Sequence, residues 1–197
     1  MTKQLITVLI CLLISACANA PEVHFYVLEP INQTNPAAIV SEKQLSIGVG
    51  PISIPTLLEN KKIITRLSDN TVRIAEFQQW AAPLEDNLLQ TLTQNLATLQ
   101  PNNIVRAYPW SIHGTVDLQV IIDITRFDTT PGKSVNLEAN WTIKNEASRA
   151  IFKNGRTVLK HSLADSSYPG SVRALSNILG QFSQELSFAL FRAEVNR

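Results

Sequence analysis

Cysteine is scarce in this sequence. The only two thiols, Cys11 and Cys17, lie near the N-terminus of a chain of 197 residues. Cys11 falls in a segment with the character of a signal peptide, and its removal leaves Cys17 without a second cysteine for a disulfide. Small secreted domains often depend on disulfides for stability. Because this chain has no pair of cysteines left to form one, its fold must be stabilised by its hydrophobic core alone.

An excess of one charge is also missing. The chain has 17 lysines and arginines against 16 aspartates and glutamates, and the loss of Lys3 with a signal peptide would make the mature chain neutral. Nucleic-acid-binding domains and polybasic lipid-binding segments both depend on clustered positive charge. The balance therefore predicts a protein with no nucleic-acid partner and no electrostatic attraction to anionic lipids.

Recognisable catalytic and metal-binding patterns are absent as well. None of the three histidines, His24, His113 and His161, has a second ligand-type residue at the spacing of a metal site. The sequence has no nucleophile elbow, zinc-protease motif or phosphate-binding loop. Asp117 and Asp123 stand on one predicted strand about 20 Å apart, too far to act on one small substrate. We therefore predict that the protein is not an enzyme and binds no metal.

The apolar run at the N-terminus is too short to span a bilayer. It extends from Leu5 to Ala16 behind a single charge, and about a dozen residues is the length of a signal-peptide core rather than the roughly 20 of a transmembrane helix. The residues from Leu12 to Cys17 resemble a bacterial lipobox, in which the cysteine is acylated and the chain is cut before it. The alternative is an ordinary secretory signal cut after Ala20, with Cys17 discarded.

The lipobox divides the chain into a lipoprotein signal peptide (1–16), a lipidated tether (17–23) and one domain (24–197). The covalent lipid on Cys17 is then the only cofactor-like group that the sequence implies, and two or more acyl chains hold a protein durably on a membrane. Ala18 follows the cysteine, in place of the aspartate that tends to retain lipoproteins at the inner membrane. We predict a lipoprotein anchored to the periplasmic face of the outer membrane of a Gram-negative bacterium.

Hydrophobic periodicity predicts an α+β fold with one mostly antiparallel sheet. Apolar and polar residues alternate over 116–124 and 135–143, which is typical of strands with one buried face. Shorter strands are predicted at 24–28, 45–54, 61–66, 71–74 and 104–106. The Asn154-Gly155 pair between two apolar triplets predicts a hairpin turn, and Tyr168-Pro169-Gly170 is expected to end the sheet.

Two principal helices are predicted, at about 83–99 and 170–194. The first has Pro83 at its first position and a stripe of leucines at four-residue steps, namely Leu84, Leu88, Leu92 and Leu96. The second carries apolar residues at alternating three- and four-residue steps. We expect both stripes to face the core rather than a partner. No repeat or long linker divides the chain, so a single domain is predicted.

Several aromatic residues stand in polar surroundings, where they can serve either the core or an interface. Trp80 and Trp141 lie on a predicted helix entry and a predicted strand, and we expect them to pack between helices and sheet. Tyr108 and Trp110 lie in a loop on either side of a proline. Because tryptophan and tyrosine are enriched at protein interfaces, these two residues are the best candidates for partner binding.

Short motifs in a fixed order connect this chain to a known family. Behind the lipobox lie Tyr26-Val27-Leu28, Gly48-Val49-Gly50-Pro51, Ile64-Thr65-Arg66, Trp80-Ala81-Ala82-Pro83-Leu84, Tyr108-Pro109-Trp110 and Leu137-Glu138-Ala139-Asn140-Trp141. Together they resemble the ABC-type transport auxiliary lipoprotein family, over the chain from Cys17 to the last helix. The Ser-Arg-Ala-Ile-Phe segment after Asn145 departs from the pattern.

The resemblance implies an accessory subunit of an intermembrane lipid transport system. Such a subunit would work with a membrane-anchored MCE protein that forms a lipid-conducting tube, docking or sealing the tube at the outer membrane and supporting envelope integrity. It also implies ring-like self-association and no catalytic residue. Two other functions remain open. One is a shuttle that holds an acyl chain between helix and sheet, which needs an apolar cavity of several hundred Å3, and the other is a structural lipoprotein of a different outer-membrane assembly machine.

Overall fold

The computed structural model describes residues 21–32, 44–111 and 114–195. Within these ranges the chain forms strands β1 (His24–Tyr26), β2 (Ser46–Ser53), β3 (Lys62–Ser68), β4 (Thr71–Trp80), β5 (Ile104–Ala107), β6 (Leu118–Thr130), β7 (Ser134–Asn145) and β8 (Ile151–Ser162). Its helices are α1 (Leu84–Leu99) and α2 (Tyr168–Val195), with a short 3-10 helix at Thr56–Glu59. The predicted α+β class and the two principal helices are confirmed.

The sheet is organised around β6. Along one edge β6 pairs with β7, and β7 pairs with β8, both in antiparallel ladders. Along its other edge β6 accepts β2 in parallel over its first half and touches β3 at Thr129, opposite Thr65. Beyond these lie β5 beside β2, and β4 and β1 beside β3. Most paired residues belong to the three antiparallel ladders, so the sheet is mostly antiparallel as predicted.

Both helices pack on the same face of the sheet, with α1 over β2 and β5 and α2 over β6, β7 and β8. The predicted alternation on the two long strands is confirmed, because every apolar residue at the inward positions of 116–124 and 135–143 is buried. The four leucines of the α1 stripe are buried in the same core. Alternation of this kind buries one face of a strand and leaves the other in water.

The helix starts differ from the prediction in detail. α1 begins at Leu84, so Pro83 is the residue that precedes the first turn and not its first member. α2 begins at Tyr168, and the Tyr168-Pro169-Gly170 segment forms its first turn instead of ending the sheet. The cause is a cap: Ser167 Oγ accepts a hydrogen bond of 3.1 Å from the amide of Gly170. Proline is tolerated in this first turn because its missing N–H has no partner there.

The hairpin predicted at Asn154-Gly155 is wrong. Both residues lie inside the continuous strand β8, and Gly155 stands directly opposite Trp141 of β7. The glycine serves packing, because a Cβ at Gly155 would overlap Cζ2 of Trp141. The indole leans across this gap, and its Nε1 donates a hydrogen bond of 3.0 Å to Thr157 Oγ1. The sheet instead turns at 131–133 and 146–148.

We expect Gly155→Ala to destabilise the protein by about 1–2 kcal/mol, because the new methyl group overlaps the indole of Trp141. In an unobstructed strand the same change would be neutral or slightly stabilising. Chemical denaturation measures the free energy of unfolding. Asn154→Ala, at the exposed neighbouring position, is the control and should have little effect. An unchanged or higher stability for Gly155→Ala would contradict the packing role.

Candidate functional site

Of the predicted site residues, Tyr108 and Trp110 lie within the described ranges and Cys17 lies outside them. Cys17 precedes the described residues, so its lipidation stays a prediction, and His113 also lies outside them. Tyr108 and Trp110 follow the end of β5. Within the described ranges, no group of three or more histidine, cysteine or acidic residues is arranged to hold a metal ion. Among those same residues, no helix is both long enough and apolar enough to cross a bilayer.

Tyr108 and Trp110 contact each other but differ in exposure. Their rings form an edge-to-face pair with centroids 5.4 Å apart and an interplanar angle of 81°, an arrangement that aromatic quadrupoles favour. Tyr108 is 46% exposed, whereas Trp110 is only 8% exposed. The expectation of an exposed contact surface is therefore met by Tyr108 and not by Trp110, whose ring is used inside the domain.

The glycines of β2 make room for this aromatic pair. A Cβ on Gly48 would lie 2.7 Å from Cζ3 of Trp110, and one on Gly50 would lie 2.8 Å from Cβ of Tyr108. Gly50 has φ +110, a conformation that side chains rarely adopt. The amide of Tyr108 donates to the carbonyl of Val49 at 2.9 Å. The Gly48–Pro51 motif thus packs against the Tyr108–Trp110 pair. We name these two segments together the aromatic corner.

The segment from Leu28 to Asn32, which follows β1, is fastened to both helices. The amide of Ile31 donates to Asn95 Oδ1 of α1 at 2.8 Å. The amide of Glu29 donates to Ser176 Oγ of α2 at 3.1 Å. Backbone groups outside regular structure need such partners when water is excluded. We name this unit the N-terminal clamp, because it joins the chain that comes from the predicted anchor to the helical layer.

Asn95 is the centre of the clamp. Its side chain is fully buried, and while its Oδ1 accepts from Ile31, its Nδ2 donates to Ser183 Oγ at 2.9 Å. One amide therefore connects the N-terminal segment, α1 and α2. Ile31 is held by shape as well, since a Cβ on Gly180 of α2 would lie 2.8 Å from Cγ2 of Ile31.

An open groove lies beside the clamp. Its volume is about 760 Å3, and its walls include Phe25, Val27, Leu99, Pro169, Val172 and Arg173. The groove is a surface feature between β1 and the start of α2. By contrast, the gap lined by Trp80, Leu84 and Leu175 holds only about 10 Å3. Of these two spaces, only the open groove has the volume that an acyl chain would need.

The outer face of the sheet carries an ion network around Asp128, which is only 6% exposed. Its Oδ2 accepts from Nε of Arg66 at 3.0 Å and from Nε of Arg126 at 2.9 Å. Its Oδ1 accepts from Asn136 Nδ2 at 2.8 Å. Arg126 and Arg156 both contact Glu138 as well, so the network links β3, β6, β7 and β8 across the sheet.

The network shifts the pKa of Asp128. Burial alone would raise the pKa of this carboxyl, but hydrogen bonds from Arg126, Asn136 and Arg66 outweigh burial and hold the pKa below its usual range. Each arginine in turn keeps part of its surface in water. The arrangement is a structural ion network in which the guanidinium groups already have carboxylate partners, and nothing in it resembles an acid–base pair.

A family model described as an ABC-type transport auxiliary lipoprotein component matches residues 26–187. The match runs from β1 into the second half of α2, and so includes nearly all of the described fold. The chain belongs to this family. Its description is that of a transport component and not of an enzyme.

Individual relatives agree with the family assignment. The chain is 24% identical to the intermembrane transport lipoprotein PqiC of Escherichia coli over 146 residues, which is 74% of this chain and 76% of that protein. Among solved structures, an uncharacterised protein superposes with a TM-score of 0.72 at 19% identity, covering 86% of this chain and 99% of that one. A protein of Xanthomonas campestris superposes with a TM-score of 0.70 at 15% identity, covering 84% and 93%. These two likenesses concern the fold.

Two of the family motifs, those at Tyr26 and at Trp80, meet where β1 joins β4. The carbonyl of Tyr26 accepts from the amide of Ala81 at 2.8 Å, and the amide of Trp80 donates to the carbonyl of Lys61 at 2.7 Å. Sequence reasoning found these motifs but missed Asn95 and Asp128. A signal for Asn95 was present: it is a polar residue on the leucine-striped face of α1, three positions after Leu92.

Proposed function

We propose that this chain is an outer-membrane lipoprotein and the accessory subunit of an MCE-type intermembrane lipid transport system. In this role it docks or seals the periplasm-spanning MCE tube at the outer membrane and supports envelope integrity. The observation that carries the proposal is the family match over residues 26–187, together with the lipobox-like segment that ends at Cys17. Ring-like self-association is part of the proposal.

The domain has the properties that a docking subunit requires. Its first strand begins at His24, seven positions after Cys17, so the acyl anchor and the folded domain are separated by only a short tether. β1 is held to the sheet by its ladder with β4, and the N-terminal clamp that follows it is hydrogen-bonded to both helices. On the surface, Tyr108 offers an exposed aromatic ring held rigidly by Trp110 and Gly50. Rigid aromatic rings are frequent hot spots of binding.

The lipid-shuttle alternative would have to use the open groove between β1 and α2, whose walls combine apolar residues with polar ones such as Asn177 and Gln184. Co-purified phospholipid in stoichiometric amount would favour it nonetheless. The structural lipoprotein of another assembly machine would be identified by a different partner. Both alternatives are thus outcomes of the same purification.

The test is a pull-down of the tagged, lipidated protein from mildly solubilised envelopes, with partners identified by mass spectrometry. We expect an MCE-domain protein in stoichiometric amount, and native mass spectrometry should show a closed homo-oligomer. Cys17→Ala should remove the protein from membranes washed at high salt. Recovery of neither an MCE protein nor a ring would overturn the docking role, and membrane retention of Cys17→Ala would overturn the anchor.

Tyr108→Ala should weaken recovery of the MCE partner by about tenfold, as expected for loss of an aromatic hot spot. The variant keeps the Cβ that packs near Gly50, so the fold should be retained, which near-ultraviolet circular dichroism checks. Val158→Ala removes another exposed apolar side chain on the distant strand β8 and is the matched control. Equal recovery of partner by the two variants would remove Tyr108 from the interface.

A further inference from the structure

We propose that the N-terminal edge of the sheet contacts the membrane directly, through an apolar stripe formed by Val23, Phe25 and Val27. The inference rests on the proposed lipidation of Cys17 and goes beyond it. The anchor would then hold the domain in a defined orientation, with β1 against the lipid surface. The stripe would insert its side chains at the boundary between the headgroups and the acyl chains of the bilayer.

The three side chains form one exposed surface. They occupy alternate positions in and beside β1, and such positions point to the same side where the chain is extended. The three are 37%, 64% and 51% exposed. In the other alternate set His24 is also exposed, whereas Tyr26 packs against the core and Leu28 is part of it. The stripe therefore leaves a phenylalanine and two valines in water at β1, which among the described residues pairs with β4 at the edge of the sheet.

The length of the tether places this stripe near the lipid. Acyl chains on Cys17 fix that residue at the membrane surface, and Val23 follows six positions later. A fully extended chain gains at most about 3.3–3.6 Å per residue, so Val23 stays within about 22 Å of Cys17. Nothing in the tether forces full extension. Apolar side chains this close to the interface gain free energy by entering it.

The chemistry of the surrounding chain identifies the kind of membrane contact. No lysine or arginine occurs between Lys3 and Lys43, while Glu22 and Glu29 flank the stripe. Arg173 of α2 lines the groove beside Phe25 and Val27, but a single cation attracts anionic headgroups only weakly. Contact has to come mainly from burial of apolar side chains, and it should depend little on salt and on the fraction of anionic lipid.

The opposite end of the sheet supplies a matched control. Val158 of β8 is 59% exposed, and the strand order from β1 through β4, β3, β6 and β7 to β8 puts five strand spacings between the two sites. At about 4.8 Å each, that is roughly 24 Å across the sheet. If β1 lies on the membrane, Val158 points into the periplasm.

The experiment places a tryptophan reporter at each site in the full lipidated chain, as Phe25→Trp and Val158→Trp. The proteins are reconstituted into vesicles of phosphatidylethanolamine and phosphatidylglycerol with brominated acyl chains, which quench indoles only at short range. The natural tryptophans are the same in both variants and are buried, so they give a constant background. Flotation of the vesicles measures anchoring separately.

We expect the added emission of Phe25→Trp to be shifted to the blue and to lose most of its intensity, equally at low and high salt. The added emission of Val158→Trp should stay unquenched. If both proteins float with the vesicles and neither added indole is quenched, the anchor stands and the membrane-contacting stripe is refuted. If neither protein floats, the lipid anchor itself fails and the stripe with it. A blue shift of Phe25→Trp in vesicles without quenching by the brominated chains would mean that another protein surface covers the stripe, and this would also overturn the proposal.

Discussion

We expect Asn95→Leu to cost about 2–4 kcal/mol of the free energy of unfolding, although leucine is the better helix former and fits the stripe of α1. The substitution removes the acceptor for the amide of Ile31, which donates at 2.8 Å, and the donor to Ser183. A buried polar group left without a partner costs about 1–3 kcal/mol. Ser183 still donates to the carbonyl of Leu179, so the Ile31 amide bears most of the loss.

The effect of Asn95→Leu should also be local. Hydrogen exchange at the amides of Glu29, Ile31 and Asn32 should accelerate more than exchange in β6 or β7, because the N-terminal clamp opens before the sheet does. Gln94→Leu makes the same kind of change at the exposed neighbouring position and should leave both stability and exchange nearly unchanged. Uniformly faster exchange across the domain would argue that Asn95 serves only general packing.

The position of the clamp gives this prediction a functional meaning. The segment that Asn95 holds follows β1 directly, and β1 is the first part of the domain that a lipid anchor at Cys17 would reach. In a lipidated protein, opening the clamp would leave β1 attached through its ladder with β4 and would loosen its orientation. The clamp and the proposed membrane contact of Phe25 are therefore two parts of one arrangement, and Asn95→Leu should reduce quenching of a tryptophan at position 25.

Periodicity predicted the parts of this fold that depend on one residue and its near neighbours. The alternation in β6 and β7 and the leucine stripe of α1 specify which face of each segment is buried. Whether the segment forms a strand or a helix follows from the spacing of the residues on that face. The parallel pairing of β2 with β6 could not be read in this way, because it joins residues about seventy positions apart, such as Val49 and Val120. Its register depends on the whole sheet.

The failure at Asn154-Gly155 has a specific cause. An Asn-Gly pair predicts a two-residue turn because glycine adopts the required backbone conformation, yet glycine also serves where another side chain comes close. Here the indole of Trp141 occupies the place of a Cβ. Sequence alone cannot distinguish the two uses when the tryptophan stands on a neighbouring strand. The aromatic corner is a second case of the same kind. Gly48 leaves room for the ring of Trp110, and Trp110 is therefore buried.

The sequence pattern did not reveal the role of Asp128, because its partners come from three different strands. We expect substitution of this residue to have a large effect on stability. Asp128→Asn should cost about 2–3 kcal/mol at neutral pH. The substitution puts an amide N–H2 where an oxygen now accepts from Arg66, Arg126 or Asn136, and it leaves two guanidinium groups without their shared charge. The partial exposure of both arginines keeps the loss below that of a fully buried ion pair. Asp123→Asn, at an exposed position of the same strand, should cost much less.

The pH dependence of this difference follows from the lowered pKa of Asp128. A carboxyl whose pKa is lower in the folded than in the unfolded protein stabilises the fold above its ordinary pKa of about 3.9. That stabilisation is lost as the pH falls through the folded-state value, because the protonated group no longer attracts the arginines. The gap in unfolding free energy between wild type and Asp128→Asn should therefore be constant from neutral pH to about pH 5 and narrow below about pH 4.

Urea denaturation at a series of pH values measures the gap. A gap that persists at the lowest pH would show that the amide disturbs packing rather than charge, whereas closure would assign the stabilisation to the carboxylate.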